Sequence, residues 1–366
     1  MSVHELSRTD ARRIAVRAQL LDTPRSTDLL DLVRRLTLLQ NDSTAAVAPN
    51  ADLVAWSRLG SSYSPDELSD AIAGRALIEL RGMIRPSEDV ALYRAEMAEW
   101  PGSAAVSWRR AQGEWVQAND ACRRDILDRL DRDGPLTSRD LPDTCAVSWK
   151  SSGWNNDRNV AMMLSMMELR GEVAAAGRRG RDPLWDLAER IYPADPVVPL
   201  AEAVRLRDEL RLRSLGLARM TGPECPVEPG DVKEVGEPGV VEGVKGMWRI
   251  DPAQLGQPFN GRAAVLSPLD RLVYDRKRME ELFEFDYQLE MYKPKATRRW
   301  GYFALPILYA DALVGKVDAT ADHKSGVLRV DAVHQDVPFT KAMTEAVHHE
   351  IDDLALWLDL ELVLFR

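Results

Sequence analysis

Residues 157–182, DRNVAMMLSMMELRGEVAAAGRRGRD, decide the fold of this chain. The first part predicts an amphipathic helix over Asp157–Arg170, because its apolar residues recur at helical spacing and would share one buried face: Val160, Met163, Leu164 and Met167. After Gly171, two short strands around Gly177–Asp182 predict a β-hairpin. A helix followed by a hairpin is typical of the second half of a winged helix-turn-helix unit.

The residues before this stretch complete the predicted unit. Residues 118–132 predict an amphipathic helix. The sequence Gly134-Pro135-Leu136-Thr137-Ser138 predicts a tight turn into a short helix. We therefore predict a winged-helix unit over residues 117–195.

Two basic clusters are candidate DNA-binding sites. The first is at the tip of the predicted hairpin: Arg178, Arg179 and Arg181. In this fold the third helix or the wing approaches a duplex, so arginines on a wing are expected to contact phosphates. The second cluster is Lys293, Lys295, Arg298 and Arg299. The alternative for each cluster is a solvated loop.

A second informative stretch is LLQNDST at residues 38–44, which follows a helix predicted over residues 27–39. Gln40 and Asp42 are two positions apart, so an extended backbone would place both side chains on one side. An amide and a carboxylate in this arrangement are a candidate catalytic pair. The alternative is a turn or a cap, since short polar residues past a helix end often satisfy free backbone groups.

The other N-terminal residues predict a first winged-helix unit over residues 1–116. Its expected elements are helices at residues 8–21, 27–39, 50–59 and 64–73 and a strand at 77–84, with Asn50 as the cap of the third helix. We expect Trp56 to pack in the core. Arg58 either pairs with an acidic residue or faces DNA, and we include it among the candidate DNA-binding residues.

The C-terminal half predicts two further domains. Residues 196–260 hold a helix at 199–215 and a Gly/Pro-rich segment, which indicate a degenerate third winged-helix unit or a linker with a hairpin. Residues 261–366 predict an α+β module of antiparallel hairpins covered by helices. Its expected strands are at 263–266, 287–292, 302–308, 313–319 and 326–332, and its helices at 275–282 and 338–358. The predicted fold class is α+β, with tandem winged helix-turn-helix motifs and a C-terminal antiparallel-sheet module.

Composition and charge limit the functional classes. The net charge of −10 is concentrated at the end of the 366-residue chain, where residues 331–366 hold eight acidic residues and two basic ones. Because phosphate binding depends on local contacts, the total charge does not exclude DNA. Cys122, Cys145 and Cys225 lack metal-ligand spacing, so we expect reduced thiols and neither a metal nor a cofactor. Without a leader or a long apolar run, we expect a cytoplasmic, nucleoid-associated protein with no membrane contact.

Motifs along most of the chain resemble the YcaQ/AlkZ family of winged-helix DNA glycosylases, which excise alkylated and crosslinked purines. The segment Gln40-Asn41-Asp42 resembles the family's Gln-x-Asp/Gln pattern, in the form with Asp that YcaQ-like proteins have. Matching C-terminal motifs are LSPLDRLVYDR at 266–276, FDY at 285–287, YKP at 292–294, RRWGY at 298–302 and LVGKVD at 313–318. Asn41 stands where the family usually has an apolar residue, which indicates a divergent subfamily.

The resemblance implies that Gln40 and Asp42 act in base excision on double-stranded DNA. An alkylated purine is a good leaving group, so the remaining tasks are to stabilise the cationic sugar and to activate water, and one carboxylate can do both. Gln40 would orient the water or hold Asp42. Since the motif contains no lysine, we expect a monofunctional, monomeric enzyme of base excision repair that leaves an abasic site.

Two other classes remain open. A DNA-binding regulator or structural protein could carry the same winged helices around an inactive site. A protein-interaction module is the third alternative, favoured mainly by the acidic C-terminal helix.

Overall fold

The structure, a computed structural model, describes residues 3–42, 44–102, 106–150, 158–222 and 228–364. By their contacts these residues form two compact units, of which one comprises Met1–Ser69 with Asp208–Arg366 and the other Asp70–Arg207. The four domains expected from the sequence stay a prediction. Cys225 and the first predicted residue of the helix at 157–170 lie outside the described residues.

The described residues form helices and strands that are mixed along the chain. In chain order they are α1 (Arg8–Ala18), α2 (Leu29–Leu36), α3 (Asn50–Leu59), α4 (Pro65–Ala73), α5 (Arg94–Glu99), α6 (Ser107–Ala118), α7 (Asp120–Asp133), α8 (Asn159–Leu169), α9 (Ala188–Ile191), α10 (Leu200–Leu215), α11 (Arg271–Tyr274), α12 (Arg276–Phe283) and α13 (Lys341–Trp357). Short 3-10 segments cover Ser87–Leu92, Pro252–Gln254 and Lys295–Thr297.

The described strands are short except in the C-terminal sheet. They are β1 (His4–Leu6), β2 (Leu39–Gln40), β3 (Leu77–Leu80), β4 (Met83–Pro86), β5 (Val173–Arg179), β6 (Asp182–Leu187), β7 (Leu217–Arg219), β8 (Glu237–Val241), β9 (Val244–Ile250), β10 (Ala263–Val265), β11 (Leu305–Tyr309), β12 (Ala312–Asp322), β13 (Val327–Gln335) and β14 (Glu361–Leu364). The chain is therefore a mixed α+β protein, as the sequence predicts.

The first unit contains two sheets in its described part. One has the order β10-β11-β12-β13-β14 and the other β1-β8-β9-β7. The acidic helix α13 packs on β10 and β11. Helix α1 contributes Ala11, Ile14 and Ala15 to the same buried cluster as Trp248 of β9 and Leu282 of α12. The N-terminal helix and the C-terminal strands thus share one core.

The sequence expectation of a purely antiparallel C-terminal sheet is wrong at its edge. Strand β14, which has no counterpart among the predicted strands, pairs with β13 in parallel, with Leu328 opposite Leu362. The parallel pairing is possible because α13 forms the crossover between the two strands, and a parallel pair needs such a connection.

The second unit is built on helices α7 and α8 and on two hairpins. Strands β5 and β6 pair in antiparallel with Arg179 opposite Asp182, which confirms the hairpin expected after Gly171. Helix α8 buries Met163, Leu164 and Met167 in a cluster with Ile126 and Leu130 of α7. The apolar spacing of this helix therefore predicts its buried face correctly.

Three local expectations are wrong. The predicted strand at 77–84 is a hairpin, because Arg81 and Gly82 have positive φ angles of 54° and 72° and turn β3 into β4. The short helix expected after Pro135 is absent from the described residues. Leu136 instead pairs with Trp185 through two backbone hydrogen bonds of 3.0 and 2.8 Å. Residues 287–292, expected as a strand, form a loop, in which the side chain of Glu290 accepts backbone N–H groups of Arg299 and Trp300.

Candidate active site

The Gln-x-Asp motif begins in strand β2 and ends in a turn. Leu39 is buried, whereas Gln40 and Asp42 are both partly exposed. The backbone N–H of Asp42 donates to the carbonyl oxygen of Gln40 at 3.1 Å, which closes a three-residue turn centred on Asn41. The extended backbone expected from the sequence is therefore wrong at Asn41, and the turn rather than a continued strand determines where the Asp42 side chain lies.

Asn50 holds this turn from the next helix. Its side-chain Nδ2 donates to the carbonyl oxygen of Gln40 at 2.7 Å, and its backbone N–H donates to the carbonyl oxygen of Asp42 at 3.3 Å. Asn50 is completely buried. It is the first residue of α3 and not the cap that the sequence analysis expects, because Pro49 occupies the cap position without a side-chain hydrogen bond. Asn50 therefore fixes the backbone on both sides of Asn41.

The Asp42 carboxylate has one contact in the described chain. Its Oδ1 accepts the backbone N–H of Thr44 at 2.8 Å, as in an Asx-turn. Among the described residues no donor contacts the other oxygen, Oδ2. The carboxylate is thus oriented through one oxygen while the other is left to accept a proton or face a positive charge, which is the geometry that a general base needs.

The loop that follows the motif is attached to the C-terminal sheet. The backbone N–H of Ala321, at the end of β12, donates to the carbonyl oxygen of Ala46 at 2.9 Å. The sequence contains no local signal for this contact, because the two residues are far apart in the chain. The motif is thus held by α3 on one side and by β12 on the other.

Arg58 has a structural role, so the prediction that it binds DNA is corrected. Its side chain is completely buried and forms an ion pair with the completely buried Asp270, including a 3.1 Å hydrogen bond from Nη2 to Oδ1. Its Nε donates to the carbonyl oxygen of Gln19 at 3.0 Å. A phosphate cannot reach a guanidinium that is enclosed in this way. The alternative that Arg58 pairs with an acidic residue is confirmed.

Trp56 is completely buried, as expected from the sequence. Its ring stacks on Trp357 of α13 with centroids 5.8 Å apart, and its Nε1 donates to Asp353 at 3.2 Å. The helix behind the motif is therefore anchored to α13 as well as to Asp270.

The arginines of the β5–β6 hairpin are exposed and partly paired. Arg178 donates to both carboxylate oxygens of Glu79 at 3.2 Å, and Arg179 donates to Asp140 at 3.0 Å. Arg181 is exposed in the turn between the strands. The structure brings the three cations together at one hairpin tip, and their contact with DNA stays a prediction.

The second basic cluster lies on a loop before β11. Lys293 donates to Glu290 at 2.9 Å, and Arg299 donates to Asp286 at 2.8 Å. Burial would raise the pKa of Glu290, but hydrogen bonds from Lys293 and from the backbone N–H groups of Trp300 and Arg299 hold it below its usual value. Lys295 is exposed and Arg298 is partly exposed.

Neither a membrane-spanning helix nor a candidate metal site occurs in the part of the chain that the structure describes. No described helix is long and apolar enough to cross a membrane. No three His, Cys, Asp or Glu residues among the described positions are grouped in a way that could hold a metal ion.

Comparison with known proteins relates this geometry to a family. The family model described as DNA glycosylase AlkZ-like matches residues 33–357, a range that includes Gln40, Asp42 and Asn50. The solved structure of the Streptomyces sahachiroi DNA glycosylase AlkZ is similar to this chain, with a TM-score of 0.66 and 17% sequence identity over 99% of this chain and 100% of that one. At this identity the structural likeness concerns the fold alone.

Proposed function

The chain belongs to the AlkZ-like DNA glycosylase family, and we propose that it hydrolyses the N-glycosidic bond of alkylated or crosslinked purines in duplex DNA. Purines alkylated at N7 or N3 carry a positive charge, so the base departs readily with the electrons of the glycosidic bond. The enzyme then has to stabilise the cationic sugar and direct water to it. This reaction leaves an abasic site.

Asp42 is the residue that we assign to both tasks. Its carboxylate stabilises the positive charge that develops on the sugar and accepts a proton from the attacking water. Gln40 orients that water through its side-chain amide. The motif contains no lysine, so water rather than an amine attacks the sugar, and the enzyme is monofunctional.

The observation that carries this assignment is the way the motif is held. Asn50 is completely buried and contacts the backbone of both Gln40 and Asp42, so the motif is held from a buried position on the next helix. Preorganisation of this kind is what a catalytic carboxylate requires, because small displacements from the reacting atoms lower the rate strongly.

DNA binding is assigned to the two basic clusters. We infer that α7, the turn after it, α8 and the β5–β6 hairpin act as a winged-helix unit, in which Arg178, Arg179 and Arg181 contact phosphates. The cations of the second cluster, Lys293, Lys295, Arg298 and Arg299, contribute a further phosphate-binding surface.

The proposal is tested by an incision assay. Purified full-length protein is incubated with a duplex oligonucleotide that holds one N7-alkylguanine, and the strand is then treated with alkali. We expect cleavage at the lesion only after alkali, release of the free base, and no covalent protein–DNA product after borohydride reduction. Asp42→Asn protein is the matched control.

Two results would contradict the proposal. Release of no base from any alkylated or crosslinked duplex, with DNA binding retained, would favour a non-catalytic DNA-binding protein. A covalent product with borohydride would contradict the monofunctional mechanism.

A further inference from the structure

A tyrosine on the second basic cluster is almost completely exposed. We call residues 290–302 the basic loop, since it contains Lys293, Lys295, Arg298 and Arg299. Tyr292 in this loop is 87% exposed, and Tyr302 at its end is 40% exposed. Large aromatic side chains usually bury most of their surface, so the ring of Tyr292 is unusually accessible to a ligand, in a loop that also carries four cations.

A buried carboxylate keeps the basic loop in one conformation. Glu290 is only 2% exposed in its side chain. Its Oε2 accepts the backbone N–H groups of Arg299 at 2.7 Å and Trp300 at 2.8 Å, and its Oε1 accepts Nζ of Lys293 at 2.9 Å. These bonds join the two ends of the loop, so Tyr292 projects from an ordered support.

Two further contacts close the loop. Nε of Arg298 donates to the carbonyl oxygen of Lys293 at 3.0 Å. Gly301 has a φ angle of +119°, and a Cβ atom there would lie 2.1 Å from the carboxyl group of Asp318 in β12. The positive φ angle and the nearby carboxyl group both favour glycine at this position. The end of the loop therefore packs against the side chain of Asp318.

The loop exposes both cations and aromatic rings. The carboxylate of Glu290 is buried beneath the loop, and Asp286 pairs with Arg299. The guanidinium of Arg298 lies over the ring of Tyr302, with its central carbon 4.9 Å from the ring centroid. Proteins that bind single-stranded nucleic acid combine these features, because cations follow the phosphates while bases stack on aromatic rings.

We propose that the basic loop binds an unpaired nucleotide of the DNA, whose base stacks on Tyr292 and whose phosphates contact Lys295 and Arg298. A paired base inside a duplex has both faces covered by its neighbours, so a tyrosine can stack only on a base that is flipped, bulged or single-stranded. The inference rests on the proposed function in that DNA is the ligand, but it does not depend on catalysis.

The experiment measures binding to lesion-free DNA. Full-length protein is titrated into two duplexes, one fully paired and one with a single bulged 2-aminopurine, and both anisotropy and 2-aminopurine fluorescence are recorded. The variants are Tyr292→Ala, Tyr292→Phe and, as a matched control, Tyr274→Ala, since Tyr274 is 37% exposed and lies outside the loop. Tyr292 is so exposed that its removal should leave the fold intact.

We expect Tyr292→Ala to weaken binding to the bulged duplex by about fivefold or more, the effect of losing one base–aromatic stack. It should also abolish the quenching of 2-aminopurine, while affinity for the paired duplex changes by less than about twofold, which is too little for the removal of a stack. Tyr292→Phe and Tyr274→Ala should behave like the wild type. Equal loss on both duplexes, or no loss on either, would overturn the inference.

The two proposals fail in different ways. If the wild-type protein excises no alkylated base but needs Tyr292 for the bulged duplex, the glycosylase proposal fails and the stacking inference stands. If excision is observed and Tyr292→Ala binds the bulged duplex like the wild type, the stacking inference fails alone.

Discussion

The side-chain amide of Asn50 donates a 2.7 Å hydrogen bond to the backbone carbonyl of Gln40, ten residues earlier in the chain. The same residue donates its backbone N–H to the carbonyl oxygen of Asp42. Because Asn50 is the first residue of α3, the helix that is anchored by Trp56 and Arg58 also sets the conformation of the Gln-x-Asp motif.

The first prediction concerns Asn50. Asn50→Ala removes a side-chain donor to the partly buried carbonyl of Gln40, so we expect a loss of about 0.5–1.5 kcal/mol in the free energy of unfolding. Excision should fall further than the folded fraction does, because the side-chain bond that fixes the backbone of Gln40 is lost, although the backbone bond from residue 50 to Asp42 remains. Asn50→Asp places an acceptor where the donor stood and should be at least as damaging. Thermal unfolding and single-turnover excision are the measurements, and full activity in a folded variant would contradict a positioning role.

The second prediction concerns Asp42. Asp42→Asn keeps the shape of the side chain but removes its charge, so excision should fall on the order of a hundredfold to a thousandfold, as when one preorganised electrostatic interaction with the transition state is removed. Stability and DNA affinity should hardly change, because Asn can replace Asp in a turn. Gln40→Ala should slow excision by a smaller factor. A parallel loss of stability and activity would instead identify Asp42 as a structural turn residue.

The third prediction concerns the β5–β6 hairpin. Replacing Arg178, Arg179 and Arg181 by Ala should weaken binding to all duplexes similarly, because phosphate contacts do not read sequence. The slope of log K against log salt should become less steep by about 0.9 for each phosphate that the variant no longer neutralises. Arg329→Ala, which removes a charge from an exposed site on β13, is the control. Unchanged affinity and slope would exclude the hairpin from the interface.

The fourth prediction concerns the buried ion pair. Arg58→Met leaves the completely buried carboxylate of Asp270 without its partner and should cost about 3–5 kcal/mol of unfolding free energy. The double variant with Asp270→Leu should recover part of that loss, because no uncompensated charge remains. DNA affinity per folded molecule should equal that of the wild type. Weaker DNA binding by a stable Arg58 variant would return Arg58 to the interface.

The fifth prediction concerns pH and Glu168 of α8. Burial raises the pKa of Glu168 from 4.5 to about 7, although its carboxylate accepts the backbone N–H of Arg81 at 2.9 Å. Between pH 4.5 and about 7, the carboxyl group of Glu168 is ionised in the unfolded chain but protonated in the folded protein. The free energy of unfolding should therefore fall as pH rises from about 4.5 to 7 and level off above.

Glu168→Gln is the matched variant, since it retains an acceptor for Arg81 but cannot ionise. The free energy of unfolding of this variant should not fall over this range. The variant should therefore be more stable than the wild type by a larger margin at pH 8 than at pH 5. Chemical denaturation across this range measures both proteins, and identical pH profiles would show that Glu168 does not titrate as expected.

Local sequence patterns predicted the elements that depend on near neighbours. The helical spacing of Val160, Met163, Leu164 and Met167 predicted a helix at the position of α8, and all four residues are buried. Gly171, Gly177 and Gly180 indicated the hairpin within residues 171–182, because turns that need positive φ angles favour glycine. The order of motifs along the chain also indicated the family, which the match over residues 33–357 confirms.

Contacts between residues that are distant in the chain decided the burial of Arg58 and the turn at Asn41, which local sequence patterns do not predict. The partner of Arg58 is Asp270, 212 positions later, and only the packing of α3 against this later segment of the same compact unit makes the guanidinium a buried structural group. The turn at Asn41 likewise depends on Asn50, and the loop after it on Ala321. By itself the sequence determined most of the longer helices, the β5–β6 hairpin and the family, since these follow from periodicity and short motifs. The burial of each charge and the orientation of the motif were decided by the folded chain, because desolvation and hydrogen bonding depend on residues brought together from distant positions.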